Sequence, residues 1–211
     1  MKVFRNDWWV TPVWEVQTDF DESFNNQLIK EIQEYDKIED ETKILNYDIW
    51  RSQGKCIAEL KRVTLEIIKE QTHDLVSQNF QEFEYWHTRG WVNFHPPGKY
   101  MPIHGHGGAK VAMTYYIHAP KDCGDLIIID PRGGCDWNSE LDMVNGSKFK
   151  RIKPAPGKLV FFPAYLLHMV EQNNNFREPR ISLSSNLGTY DKATIKTLLE
   201  LIQTNSDVQK T

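Results

Sequence analysis

Several things are missing from these 211 residues, and each absence excludes something. No apolar run comes near the roughly 20 residues that a membrane-spanning helix requires. The first nine residues, Met-Lys-Val-Phe-Arg-Asn-Asp-Trp-Trp, lack the continuous apolar stretch of a signal peptide, so a cytoplasmic protein is expected. Cys56, Cys123 and Cys135 form an odd set with no Cys-x-x-Cys spacing, which argues against a zinc ribbon or a disulfide framework and for reduced thiols. Basic residues are not in excess: 25 Lys and Arg stand against 29 Asp and Glu, a net charge of −4. No broad cationic field is present to attract nucleic acid or an anionic membrane, and neither partner is expected. Repeats and low-complexity segments are absent too.

What is present describes an ordinary globular chain. Hydrophobic residues make up 40%, with 7 Trp, 8 Tyr and 10 Phe for a core, and the length suits one domain, 1–211. Residues 8–17 form an extended aromatic segment. Asp21 or Ser23 then offers an N-cap for a helix carrying Leu28, Ile29, Ile32 and Tyr35 at helical spacing. A second amphipathic helix is expected over 55–76, from Ile57, Leu60, Val63, Leu65 and Ile68. Residues 1–82 thus read as a helical support region.

From Phe83 the pattern changes to short runs of Val, Ile, Tyr, Phe and Trp between Gly, Pro, Asp and Asn clusters. Eight strands are predicted, near 84–94, 100–106, 110–118, 125–130, 147–153, 158–162, 166–171 and 179–187. That number and spacing favour a sandwich, jelly roll or barrel over 83–189. Ile195, Leu198, Leu199 and Ile202 predict a last helix at 192–203, within a C-terminal region of 190–211. The fold class is α+β.

Chemistry concentrates at two places. His104 and His106, one residue apart on a strand, project to the same side and can grip one metal ion. His168, on a later strand of the same β region, supplies a third imidazole if the sheet folds over. Glycines 105, 107 and 108 leave space beside such an ion. His73, His87, His95 and His118 read as satisfied polar side chains. In Glu-Pro-Arg-Ile-Ser-Leu-Ser-Ser-Asn, residues 178–186, alternation sets Arg180, Ser182, Ser184 and Asn186 on one face. That face either meets water or lines an interior, where the guanidinium fork would take a carboxylate.

The stretch from about Trp91 to Asn186 resembles the double-stranded β-helix oxygenases that use Fe(II) and 2-oxoglutarate, of phage and marine-bacterial type and, more distantly, the prolyl hydroxylases. Motifs fall in the family's order: Pro97-Gly98 and Tyr100, His104-Gly105-His106, Met113 to Ile117, and Cys123-Gly124-Asp125-Leu126 leading to Asp130-Pro131-Arg132. Gly157 to Pro163 and His168 follow, and Arg180-Ile181-Ser182 closes the series. The resemblance implies a double-stranded β-helix core, iron bound by His104 and His168, and Arg180 paired with the distal carboxylate of 2-oxoglutarate, helped by Ser182 and Tyr116. It also implies use of O2, with hydroxylation of a peptide or small molecule as the simplest outcome. Position 106 departs from the pattern, since Asp or Glu is commonest there. A three-His centre including His106 is expected, with a two-His centre as the alternative. Arg132 and Trp137 are expected near the substrate.

Two other readings share these residues. Three-His cupins that oxidise thiols or small metabolites fit Gly98, His104, His106, Gly157, Pro163 and His168, and Arg180-Ile181-Ser182 speaks against them. A non-catalytic jelly roll with structural or zinc-binding histidines fits the composition equally well.

Overall fold

In a computed structural model of the chain, the structure describes residues 11–36, 48–73, 83–132 and 148–191. In chain order these residues form β1 (Trp14–Gln17), α1 (Glu22–Asp36), a short 3-10 turn (Ile49–Arg51), α2 (Lys55–Thr72), β2 (Phe83–His95), β3 (Met101–His104) and β4 (Val111–His118). Then come β5 (Leu126–Ile129), β6 (Phe149–Ile152), β7 (Lys158–Pro163), β8 (His168–Val170) and β9 (Arg180–Asp191). A five-stranded sheet in the order β1-β7-β4-β9-β2 faces a four-stranded sheet in the order β3-β8-β5-β6. This is the two-sheet frame of a double-stranded β-helix, with helices against the larger sheet, as expected of an α+β chain. Among the described residues no helix is long and apolar enough to cross a membrane.

The larger sheet is covered on both faces, and its central strands show it. On β4, Val111, Met113, Tyr115 and Ile117 join Leu28, Ile32, Ile57, Leu60 and Ile68 of the helices in one core, while Ala112 and Tyr116 point the other way. On β7, Leu159 and Phe161 go to the helices, and Val160 and Phe162 go to the facing sheet beside Leu126, Ile128 and Ile152. Near-continuous apolar runs follow from two buried faces. Each fully buried Leu, Ile or Phe contributes about 1.5–3 kcal/mol.

The helices are fastened by polar contacts as well. Asp21 caps α1, its Oδ1 accepting from the Phe24 N–H at 2.8 Å. Gly54 offers α2 no side-chain cap, and Glu31 of α1 takes that role by accepting from the N–H groups of Cys56 and Ile57. A carboxylate there meets both orphan donors and the positive end of the helix. The Tyr115 hydroxyl donates to Asn25 Oδ1 at 2.8 Å, pinning α1 to β4.

Several expected bounds differ, among them three that bear on the site. The strand predicted over 100–106 ends at His104, because a turn through Gly107 and Gly108 follows, with Gly108 at φ +84. The strand predicted over 166–171 shortens to His168–Val170. The last strand runs on to Asp191, since β2 pairs with it along its whole length, from His95↔Arg180 to Phe83↔Asp191. The helix expected at 192–203, Cys135 and Trp137 lie outside the described residues.

Gly124 is the glycine on which the pocket leans. It sits at φ +85, and a Cβ there would lie 2.4 Å from the Glu171 carbonyl oxygen. Both the left-handed backbone and the close approach require glycine. Gly124→Ala is expected to cost about 1–3 kcal/mol, lowering Tm by about 2–4 °C per kcal/mol. Thermal unfolding checks this; an unchanged Tm would mean that the loop relaxes at no cost.

Candidate metal centre

The three histidines converge because of a bulge. β3 and β8 pair Met101 with Val170 and His104 with His168, three residue steps along one strand against two along the other. Pro102 has no N–H for the ladder, and a bulge at this point removes the need for one. Its consequence is register. Without the extra residue Ile103 would oppose His168; with it, His104 does. His106 follows on the turn, its N–H donating to the Ala164 carbonyl at 3.0 Å. One ring nitrogen from each of His104, His106 and His168 then lies within 4.8 Å of the others.

Hydrogen bonds set the tautomers. His104 Nδ1 lies 2.8 Å from the Pro102 carbonyl oxygen, and His168 Nδ1 lies 2.9 Å from that of Leu166. A carbonyl only accepts, so each Nδ1 carries the proton and each Nε2 presents a lone pair. His106 Nε2 faces His168 Nε2 at 3.3 Å. Two imidazoles about 2.1 Å from a common ion hold their nitrogens about 3–4 Å apart, so the donor set fits a transition metal. Burial, reinforced by neighbouring imidazoles, lowers the pKa of His106 to about 4 and that of His168 to about 4. Both rings are neutral at pH 7, the form that ligates. No carboxylate joins this group among the described residues.

Behind the triad runs a pocket built by parity. β9 lies between β4 and β2, and its even positions Arg180, Ser182 and Ser184 face the pocket, as do Thr114 and Tyr116 of β4. On β2 the same side carries Trp91, Asn93 and His95, paired in register with Ser184, Ser182 and Arg180. Asn93 Nδ2 donates to Ser184 Oγ at 2.8 Å, and Trp91 Nε1 donates to Asn93 Oδ1 at 3.1 Å. The Trp91 ring stands 5.7 Å from that of His106, so the file begins at the metal centre.

Arg180 closes the far end. It is 1% exposed, and its Nη1 donates to the carbonyls of Cys123 at 3.3 Å and Gly124 at 3.2 Å, while Nε is buried without a partner. Among the described residues no carboxylate pairs with it. Burial lowers its pKa, the direction expected of a cation removed from water with no counter-charge. Tyr116, buried beside it, has its phenol pushed above the ordinary value by the same loss of solvent, so the hydroxyl keeps its proton and can donate.

The six residues expected to hold metal and co-substrate, His104, His106, His168, Arg180, Ser182 and Tyr116, line this one pocket, and Asn186 does not. Among the further lining residues, Trp91, Asn93 and His95 of β2 carry polar groups that the sequence does not single out for the site. Their alternation was readable, but its meaning depends on β2 pairing with β9. His95 is a correction, because it is 4% exposed with Nδ1 unpartnered rather than satisfied. His87 is also buried, against Trp50 and Ser185, with Nε2 unpartnered. Arg132 is absent from the pocket wall and bonds Asp130.

Comparison with known proteins bears on this site. Residues 89–186 match the family described as "Putative 2OG-Fe(II) oxygenase". A prolyl-4-hydroxylase of Pseudomonas putida superposes with a TM-score of 0.56 at 16% identity, over 83% of this chain and 86% of that one, which establishes a shared fold. A 2OG-Fe(II) oxygenase family oxidoreductase of Burkholderia pseudomallei gives 0.45 at 14% identity, over 65% and 61%. No curated protein sequence matches significantly.

Two outcomes are expected. His168→Ala should lower Co(II) or Fe(II) affinity by more than about a hundredfold, beyond what loss of an outer-shell partner costs; His106→Ala should weaken it as well, and unchanged binding there would leave a two-His centre. Stability should also fall in acid. Burial holds the pKa of His87 at about 3 and that of His95 at about 4, so below the unfolded value of about 6.5 the unfolded chain binds more protons than the folded one. The contribution is full above that value and is lost as pH falls, on the order of 1–2 kcal/mol per histidine by pH 5. Denaturant midpoints from pH 7.5 to 5 test this; a flat profile would contradict it.

Proposed function

We propose, from the match of residues 89–186 to the 2OG-Fe(II) oxygenase family, that the protein is an Fe(II)- and 2-oxoglutarate-dependent hydroxylase of a peptide or small molecule. The observation that carries the reading is Arg180: a fully buried guanidinium, without an acidic partner among the described residues, in the same pocket as three convergent imidazoles. A buried cation is stable only when paired, so the pocket calls for an anionic ligand. A dicarboxylate with a 2-oxo head meets both ends at once.

His104, His106 and His168 would hold the iron. When bound, Fe(II) with 2-oxoglutarate and O2 supplies the oxidation: one oxygen atom goes to succinate as CO2 leaves, and the other goes to a substrate C–H bond. The chain's own work is binding and exclusion. Arg180 bonds the distal carboxylate, with Tyr116 and Ser182 as hydroxyl donors to it. Trp91 and Phe162 wall the imidazoles in, and the Phe162 ring meets His168 edge-on at 4.9 Å. A trio of neutral imidazoles leaves the ion its full double charge, where the commoner carboxylate would remove one unit.

Substrate would approach past Gly107 and Gly108, where an added Cβ would meet nothing within 4 Å. Peptidyl proline is the first substrate to try, on the strength of the fold shared with the Pseudomonas putida prolyl-4-hydroxylase. The net charge of −4 supports a partner other than nucleic acid.

Succinate formation in air with Fe(II) and 2-oxoglutarate tests the proposal. Turnover should exceed that of iron alone, and Arg180→Ala should lower kcat/KM for 2-oxoglutarate by about a hundredfold or more, as loss of a buried charge-assisted pair requires. Iron-loaded protein that makes no succinate would contradict it.

A further inference from the structure

At the end of the pocket away from the triad, two buried polar atoms have no partner: Arg180 Nε and His95 Nδ1. Their residues are a cross-strand pair, His95 on β2 opposite Arg180 on β9. Side chains so paired share a face, with Cβ atoms about 4.5–5.5 Å apart, a spacing that one carboxylate bridges. Trp91, at the metal end, lies four residues up the same strand, about 13 Å away.

The ordinary role for a buried histidine is packing, and His95 fits it poorly. Its backbone is already held, since Asn173 Nδ2 donates to the His95 carbonyl at 2.9 Å. A buried ring nitrogen without a partner carries a desolvation cost that an apolar side chain of similar size would avoid. An imidazole in that position makes sense if something else satisfies it.

Resting on the oxygenase reading, we propose that His95 is a second, uncharged partner of the co-substrate's distal carboxylate, its Nδ1–H bonding one oxygen while Arg180 Nε–H bonds the other. Both orphans are then met by one ligand group. Burial foremost, then Arg180 and Lys99, lower the His95 pKa to about 4, so the ring reaches the site neutral with a single proton to donate. The second hydrogen bond favours an acid whose far end is a carboxylate over one whose far end is a methyl group. His95 thereby selects for a dicarboxylate.

Calorimetric titration of Mn(II)-loaded protein with 2-oxoglutarate and with 2-oxopentanoate tests this, because the second acid keeps the 2-oxo head and replaces the distal carboxylate by methyl. His95→Phe should weaken 2-oxoglutarate by about ten- to a hundredfold and leave 2-oxopentanoate within about twofold. His95→Asn, whose amide nitrogen falls near the place of Nδ1, should recover most of the loss; His95→Gln, whose amide reaches toward Nε2, should not. The Asn and Gln pair decides the matter should the Phe variant fail to fold. Equal losses for both acids would make His95 a structural support, and an unchanged 2-oxoglutarate affinity would remove it from the site. Wild-type protein that binds neither acid would overturn the oxygenase reading itself.

Discussion

The register of β9 between β4 and β2 is the constraint on which the rest depends. Its odd-numbered Leu183 and Leu187 enter the core under the helices, and its even-numbered Arg180, Ser182 and Ser184 face the pocket. A slip of one residue would put a guanidinium into the helix-facing core and two leucines into the pocket, so the apolar face enforces the polar one. Burial of leucines thereby pins the position of a charge. The helices, remote from the chemistry, contribute by making that core worth burying. Glu31, Asn25 and Tyr115 hold the helices where they do so.

Electrostatically the pocket has one sign. A buried cation lies at one end, three imidazoles with no carboxylate among them lie at the other, and Ser, Thr, Tyr and Asn groups stand between. Such a cavity repels a second cation at the Arg180 end and favours a ligand that brings negative charge there. An ion held by the imidazoles would strengthen that preference, because none of its charge is cancelled by the protein.

Much of this was legible in the sequence, for physical reasons. Period-two alternation placed Arg180 and Ser182 on one face, and His-x-His spacing joined His104 to His106, because strand geometry is local. Helical spacing located α1 and α2. What depended on pairing was not legible. His95 resembled any strand histidine until β2 was set against β9, and the Pro102 bulge, which sets His104 opposite His168, has no sequence signal beyond the proline itself. Ring tautomers rest on carbonyls two residues away, at Pro102 and Leu166, whose direction follows from the folded backbone.

On the proposed reading, one pocket takes Fe(II) at the three histidines and a 2-oxo dicarboxylate against Arg180. Anaerobic titration of Fe(II)-loaded protein with 2-oxoglutarate, followed by visible absorption, tests it most directly. A band should appear that saturates at one equivalent per chain and is lost in Arg180→Ala. Tightly bound iron with no band at saturating 2-oxoglutarate would contradict it and leave a three-His centre serving other chemistry.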